Sequence, residues 1–148
     1  MISGASEKHV QQIKFLVDYW AKKGEILPRS EDAIRSGIND FIVLQKDGNV
    51  VATVSIIGYT QQLAELRSLC VHPDQHGKDF GSRIVFAAEN EARVRNVKIV
   101  FVLTRKPGFF AKLGFKRGTV RTEKIYKDCV GCPLYKNGCD EVYMEKKL

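Results

Sequence analysis

The chain has 148 residues, 44% hydrophobic and 28% charged, as expected of a soluble globular domain able to bury a core. No apolar run approaches the roughly 20 residues of a membrane helix, and the opening MISGASEKHVQQIK holds no signal-peptide segment; the expected location is the cytoplasm, with no membrane partner. The formal charge of +7 is uneven: residues 92–122 lack acidic side chains and carry Arg93, Arg95, Lys98, Arg105, Lys106, Lys112, Lys116, Arg117 and Arg121. Such a patch either meets an anionic partner, whether nucleic acid, phosphorylated cofactor or carboxylate, or is a solvated basic face.

In chain order, residues 6–23 read as an amphipathic helix, with Val10, Ile13, Leu16, Val17 and Trp20 at three- and four-residue spacing and Gly24 closing it. LPRSEDAIRSGI reads as a turn and second helix, with Ser30 as N-cap and Glu31 and Asp32 in its first turn. FIVLQKDGNVVATVSIIGY is a hairpin about Asp47-Gly48. LAELRSLCV alternates as a strand that, if regular, puts Leu63, Glu65, Arg67, Leu69 and Val71 on one face. Residues 79–95 form a helix with Phe80, Ile84, Ala88 and Ala92 inward, and VKIVFVLT is an all-apolar central strand. Pro107 opens a short helix, PGFFAKL, that Gly114 caps, and EVYMEKKL is a last strand. The expected fold is α/β: one mixed sheet covered by helices on both faces, in a single domain over 1–148, with a parallel strand pair near 63–71 and 98–104.

VHPDQHGKDFGSRIV joins strand to helix through a glycine turn, where free N–H groups and the helix dipole favour an anion. AELRSLCVHPDQHGKDFGSRIVFAAENEA resembles the central motif of the GNAT acetyltransferases, and LTRKPGFFAKLGF resembles their second CoA element. ILPRSEDAI, AELRSLCVHP, FFAKLGF and EKIYKDCVGCPLYKNGCDEVYM together resemble the short, stand-alone N-acetylglutamate synthases of prokaryotes over nearly the whole chain. The resemblance implies acetyl transfer from acetyl-CoA to the α-amino group of glutamate, the opening of arginine synthesis. His76, Gly77, Lys78, Asp79, Phe80, Gly81 and Ser82 would then hold the pyrophosphate, and the backbones of Leu69, Cys70 and Val71 the pantetheine arm and thioester.

The chain departs from the family pattern at four places: His76 for Gln or Arg, Asp79 for Gly, Arg105 for an aromatic residue and Cys70 for alanine. Asp79 adds a carboxylate that repels phosphate, but Asp is also a good N-cap whose side chain can take the helix N–H groups itself. Glu65, on the strand beside the expected thioester, is a general-base candidate or simply the partner of Arg67 or Lys98. Many family members place a tyrosine acid on the short helix; here Phe109 and Phe110 stand there, which leaves Tyr126 as a substitute or no protein acid at all. A substrate with two carboxylates calls for arginine or lysine; Arg29, in LPRS, is the strongest candidate by resemblance, Arg67 and Lys124 are next, and the alternative for each is plain surface charge. Cys129, Cys132 and Cys139 have the spacing of a zinc site lacking its fourth ligand, of a redox pair, or of plain loop packing. The rival readings are acetylation of a protein amine or polyamine, and a binding module that has lost catalysis. RNA is disfavoured because the pattern assigns the aromatics of the basic patch to the core. The partners expected are a small amino acid and acetyl-CoA, and a homodimer is left open.

Overall fold

The computed structural model describes residues 1–118 and 141–148. Within them the strands are β1 (Ile2–Gly4), β2 (Phe41–Lys46), β3 (Asn49–Gly58), β4 (Leu63–Val71), β5 (Ile99–Thr104), β6 (Lys116–Arg117) and β7 (Val142–Lys147). They form one mixed sheet in the order β1-β2-β3-β4-β5-β7-β6, antiparallel except between β4 and β5. The parallel pair is the expected one. At the Asp47-Gly48 turn both residues have positive φ, 53° and 80°, the geometry that matches hairpin twist. Strand β1 was not anticipated; three residues are too short to show a period, and the strand exists because Ile2 pairs opposite Leu44.

The helices are α1 (Val10–Lys22), α2 (Glu31–Ser36), α3 (Phe80–Val94) and α4 (Pro107–Lys112). The first helix was expected to run continuously from residue 6. Residues Glu7–His9 instead make a 3-10 turn in which the Ser6 N–H donates to His9 Nδ1 at 3.0 Å. Burial, helped by Lys8, holds His9 below the usual histidine pKa, which favours the neutral ring that this hydrogen bond needs. Ser30 caps α2 as expected, its hydroxyl accepting from the Ala33 N–H at 3.0 Å. Helix α3 buries Phe80, Ile84, Ala88 and Ala92 against Ala52, Val54, Ile56, Ala64 and Leu66 on one sheet face. On the other face α1 and α2 bury Ile13, Leu16, Val17 and Ile34 against Phe41, Val43 and Cys70. At about 25 cal/mol per Å² these two apolar layers supply the main folding force. A partly buried ion pair adds a specific tie: Glu89 of α3 meets the Lys146 ammonium of β7 at 2.9 Å, and the same ammonium donates to the Leu113 carbonyl after α4.

The features that shape the site lie in β4. Its pairing with β5 covers only Leu63–Glu65 opposite Ile99–Phe101. Beyond that β5 continues alongside β7 to Thr104 while β4 continues with β3, so the two parallel strands part. At the same level β4 carries a bulge. The register against β3 shifts between Thr53 and Ser55, and Ser68 takes a left-handed φ of 57°. The single face expected for Leu63, Glu65, Arg67, Leu69 and Val71 is therefore corrected: Leu69 and Val71 pack with the α3 layer. The extra residue at the bulge reverses the alternation, which a period-two reading assumes to be unbroken.

Candidate active site

Beyond the bulge, the ladder to β3 decides which peptide groups point where. The His72 N–H donates to the Val51 carbonyl at 2.7 Å. In an antiparallel ladder hydrogen-bonded pairs alternate, so Cys70 faces Thr53 while Leu69 and Val71 turn their N–H and C=O groups to the edge that β5 has left. Of the three backbones expected to serve the cofactor, Leu69 and Val71 thus open onto the cleft. Cys70 does not: its peptide groups face β3 and its thiol lies in the α1–α2 core, with burial pushing its pKa up to about 12. Cys70 is a packing residue in the place of the smaller alanine.

The strand then runs through a 3-10 turn, Pro73–Gln75, into the glycine loop. Gly77 has φ 78° and Asp79 φ 60°. Asp79 occupies the N-cap position of α3 in the left-handed region, and its side chain makes no capping hydrogen bond. Of the two roles open to this carboxylate, repelling phosphate or capping the helix, capping is not made. A capping side chain needs an extended backbone to fold back over the first turn, and the left-handed backbone swings it away. The conformation is one that glycine adopts without strain and that Asp tolerates better than most residues, at a cost of about 1 kcal/mol. The Asp79 carbonyl accepts the first helical bond, from the Arg83 N–H at 3.0 Å, which leaves the N–H groups of Asp79, Phe80, Gly81 and Ser82 at the helix mouth without intrahelical partners. Gly81 lies under Phe109 of α4, where a Cβ would come within 3.3 Å of the ring. Lys78 is nearby and donates to Gln75 Oε1 at 3.0 Å. His76 lies against Trp20 with ring centroids 5.2 Å apart. The helix mouth, the two left-handed residues and Lys78 suit a pyrophosphate, and the parted strands suit the extended chain attached to it.

On the α1 side of the bulge the polar residues gather. Glu65 is 4% exposed, and its Oε1 accepts from the Arg67 Nη2 at 2.7 Å, from Arg67 Nε at 3.2 Å and from the Tyr59 hydroxyl at 3.0 Å. Arg67 Nη2 also donates to the Tyr59 oxygen at 2.8 Å. Of the two partners considered for Glu65, the structure selects Arg67. Arg29 arrives from the loop before α2; it stacks on the Phe41 ring with its guanidinium 4.9 Å from the centroid, and Nη1 reaches the Ser68 hydroxyl at 3.4 Å. Its pKa is lowered, first by burial and then by the neighbouring Arg67. Two cations therefore converge at the bulge with one carboxylate beside them. Tyr59 and Ser68 were missed from sequence. Tyr59 follows the hairpin with no motif, and only the bulge turns Ser68 toward Arg29.

Other expectations fall elsewhere. Arg105, in the place of an aromatic residue, donates from Nη1 to the Gly24 carbonyl. The basic stretch is partly neutralised, since Arg95 pairs with Asp40 and Glu91 at 2.9 and 3.2 Å and Lys106 with Glu25 at 3.9 Å. Tyr126, Lys124, Cys129, Cys132 and Cys139 lie outside the described residues. Among the described residues no group of three or more His, Cys, Asp or Glu side chains could hold a metal ion, and no helix is long and apolar enough to cross a membrane.

Comparison with known proteins agrees with this geometry. The model of the acetyltransferase (GNAT) domain matches residues 37–117, from the end of α2 through β6. An uncharacterised N-acetyltransferase of Chlorobaculum tepidum, CT2212, is 37% identical over 138 residues, which is 92% of this chain and 88% of that protein. An amino-acid acetyltransferase of Ralstonia nicotianae is 31% identical over 107 residues, 71% of this chain; the chain spans only 24% of that relative's length. The N-acetylglutamate synthase of Neisseria gonorrhoeae, solved with coenzyme A and N-acetyl-glutamate, superposes with a TM-score of 0.91 at 22% identity, over 100% of this chain and 35% of that one. The chain belongs to the GNAT family of N-acetyltransferases.

Proposed function

We propose that the protein transfers the acetyl group of acetyl-CoA to the α-amino group of glutamate or a closely similar dicarboxylic amino acid. The observation that carries this reading is the meeting of Arg29 and Arg67 at the β4 bulge, beside Glu65 and next to the opened strand edge. Two guanidinium groups fit an acceptor with two carboxylates, and neither a polyamine nor a lysine side chain would gain from them. The Ralstonia relative is named an amino-acid acetyltransferase and the Neisseria neighbour was solved with N-acetyl-glutamate, which supports the same acceptor class. On this reading the protein would serve arginine synthesis.

Acetyl-CoA supplies an acyl thioester activated toward attack. The helix mouth at Asp79–Ser82 and Lys78 hold its pyrophosphate, while the edge groups of Leu69 and Val71 hold the arm. The Leu69 N–H, beside the bulge, polarises the thioester carbonyl as charge develops on its oxygen. Arg29 and Arg67 fix the acceptor by its carboxylates so that its amine faces the same carbonyl carbon. Glu65 takes the amine proton, directly or through water, as the new C–N bond forms. The C–S bond breaks and the sulfur leaves as the thiolate, which picks up a proton from solvent.

Turnover of acetyl-CoA on free glutamate, set against spermidine and a lysine peptide, tests the acceptor. The reading requires glutamate to be the best substrate by at least tenfold in kcat/KM. Equal or better turnover of either amine overturns it.

A further inference from the structure

Trp20 is the single tryptophan of the chain, and no step above uses it. It sits near the C-terminal end of α1, and its indole N–H donates to the Val71 carbonyl at 2.9 Å. That carbonyl is one of the groups turned to the edge that β5 has left. The ring also meets the start of α4: the Lys106 ammonium, at the helix N-cap, stands 5.7 Å from its centroid. His76 of the phosphate loop lies 5.2 Å away on a third side. The turn that follows continues the bridge, with Arg105 bonded to the Gly24 carbonyl and Lys106 beside Glu25. The ring thus stands between β4, the segment that leads from β5 into α4, and the phosphate loop.

We propose that Trp20 is a positioning residue of the donor cleft whose indole N–H competes with the donor's amide N–H for the Val71 carbonyl. The inference rests on the reading that the pantetheine arm lies along the β4 edge. That arm carries amide N–H groups, and in an extended chain laid beside a strand they seek the outward carbonyls, as a neighbouring strand would. The Val71 oxygen is one of these, and the indole covers it. Binding of the arm therefore displaces the indole and loosens its contacts with Lys106 and His76. The donor meets a resistance equal to one protein hydrogen bond, and its arrival is coupled to the turn at Gly24–Glu25 that leads to Arg29.

Titration of the full chain with CoA, followed by tryptophan fluorescence and by calorimetry, tests the proposal. Fluorescence of the single tryptophan shifts with the same midpoint as the heat. Trp20→Phe, which keeps a ring and removes the N–H, binds CoA about three- to tenfold tighter, the range of one net hydrogen bond. ADP, which carries a pyrophosphate without the arm, binds wild type and variant equally. A variant that binds CoA no tighter than wild type, or wild-type fluorescence unchanged at saturation by heat, overturns the competition while leaving the donor site intact. Absence of heat with CoA for folded wild type overturns the donor reading as well. The wild-type fluorescence result stands even where the variant folds poorly.

Discussion

The two halves of β4 share one strand and do opposite work. From Leu63 to Glu65 it is paired on both sides, to β3 and to β5, and Phe101 opposite Glu65 is fully buried between the Tyr59 and Tyr143 rings at 5.3 and 5.2 Å. From Arg67 to Val71 it is paired on one side, carries a left-handed residue, and has no strand on its second edge. A sheet tolerates an unpaired backbone beside a half that is fully satisfied, with helices over both faces. On the proposed function, stability resides in the first half and recognition in the second, and the stretch from Glu65 to the bulge at Ser68 is the border between them.

Substitutions in the two halves should then fail in different ways. The largest effect is expected from Phe101→Ala, which leaves a cavity between two aromatic rings and should cost about 3–5 kcal/mol of stability by denaturant melt. Glu65→Gln, at the border, keeps the shape and removes the base. It should lower kcat by about a hundredfold or more with CoA affinity unchanged. A rise in KM for glutamate at constant kcat would instead show that Glu65 only orients Arg67. Next, Arg29→Ala should raise KM for glutamate by about tenfold or more, the worth of a charge-assisted bond, with little change in melting temperature. The smallest effect belongs to Cys70→Ala. A thiol whose pKa stands at about 12 stays protonated at neutral pH and takes no part in catalysis, so activity should persist in the variant. The sign of its pH effect is fixed: the folded thiol holds its proton above the ordinary pKa of 9, so folding stability falls as pH rises from 9 toward 12, and the variant lacks that component of the fall. Thermal melts of both proteins across that range check it.

Most of the first half was legible in the sequence. Apolar periodicity located α1, α3 and strands β2 to β5 and β7, Asp47-Gly48 announced the hairpin, and Ser30 its helix start, because each rests on a local rule. The glycine loop was legible through its place between strand and helix. What was not legible came from single residues that break a rule. The bulge at Ser68 has no glycine to mark it, and it reversed the face of Leu69 and Val71. Asp79 reads as a capping residue by type, yet its backbone takes the left-handed form that glycine would supply. The partnership of Glu65 with Arg67 and Tyr59, and of Arg29 with Ser68, depends on side chains brought together across 39 residues or fewer by a fold that only the whole chain specifies.

Asp79 is the point where the recognition half tests itself. Its carboxylate stands uncapped at the mouth of α3, close to where phosphate charge would sit, on a backbone conformation that glycine holds without strain. Calorimetric titration with acetyl-CoA, wild type beside Asp79→Gly, measures the claim that this loop and the open edge of β4 form the donor site. Both proteins should bind, the glycine variant about fivefold tighter as one repelling charge is removed. Absence of binding in both would contradict it.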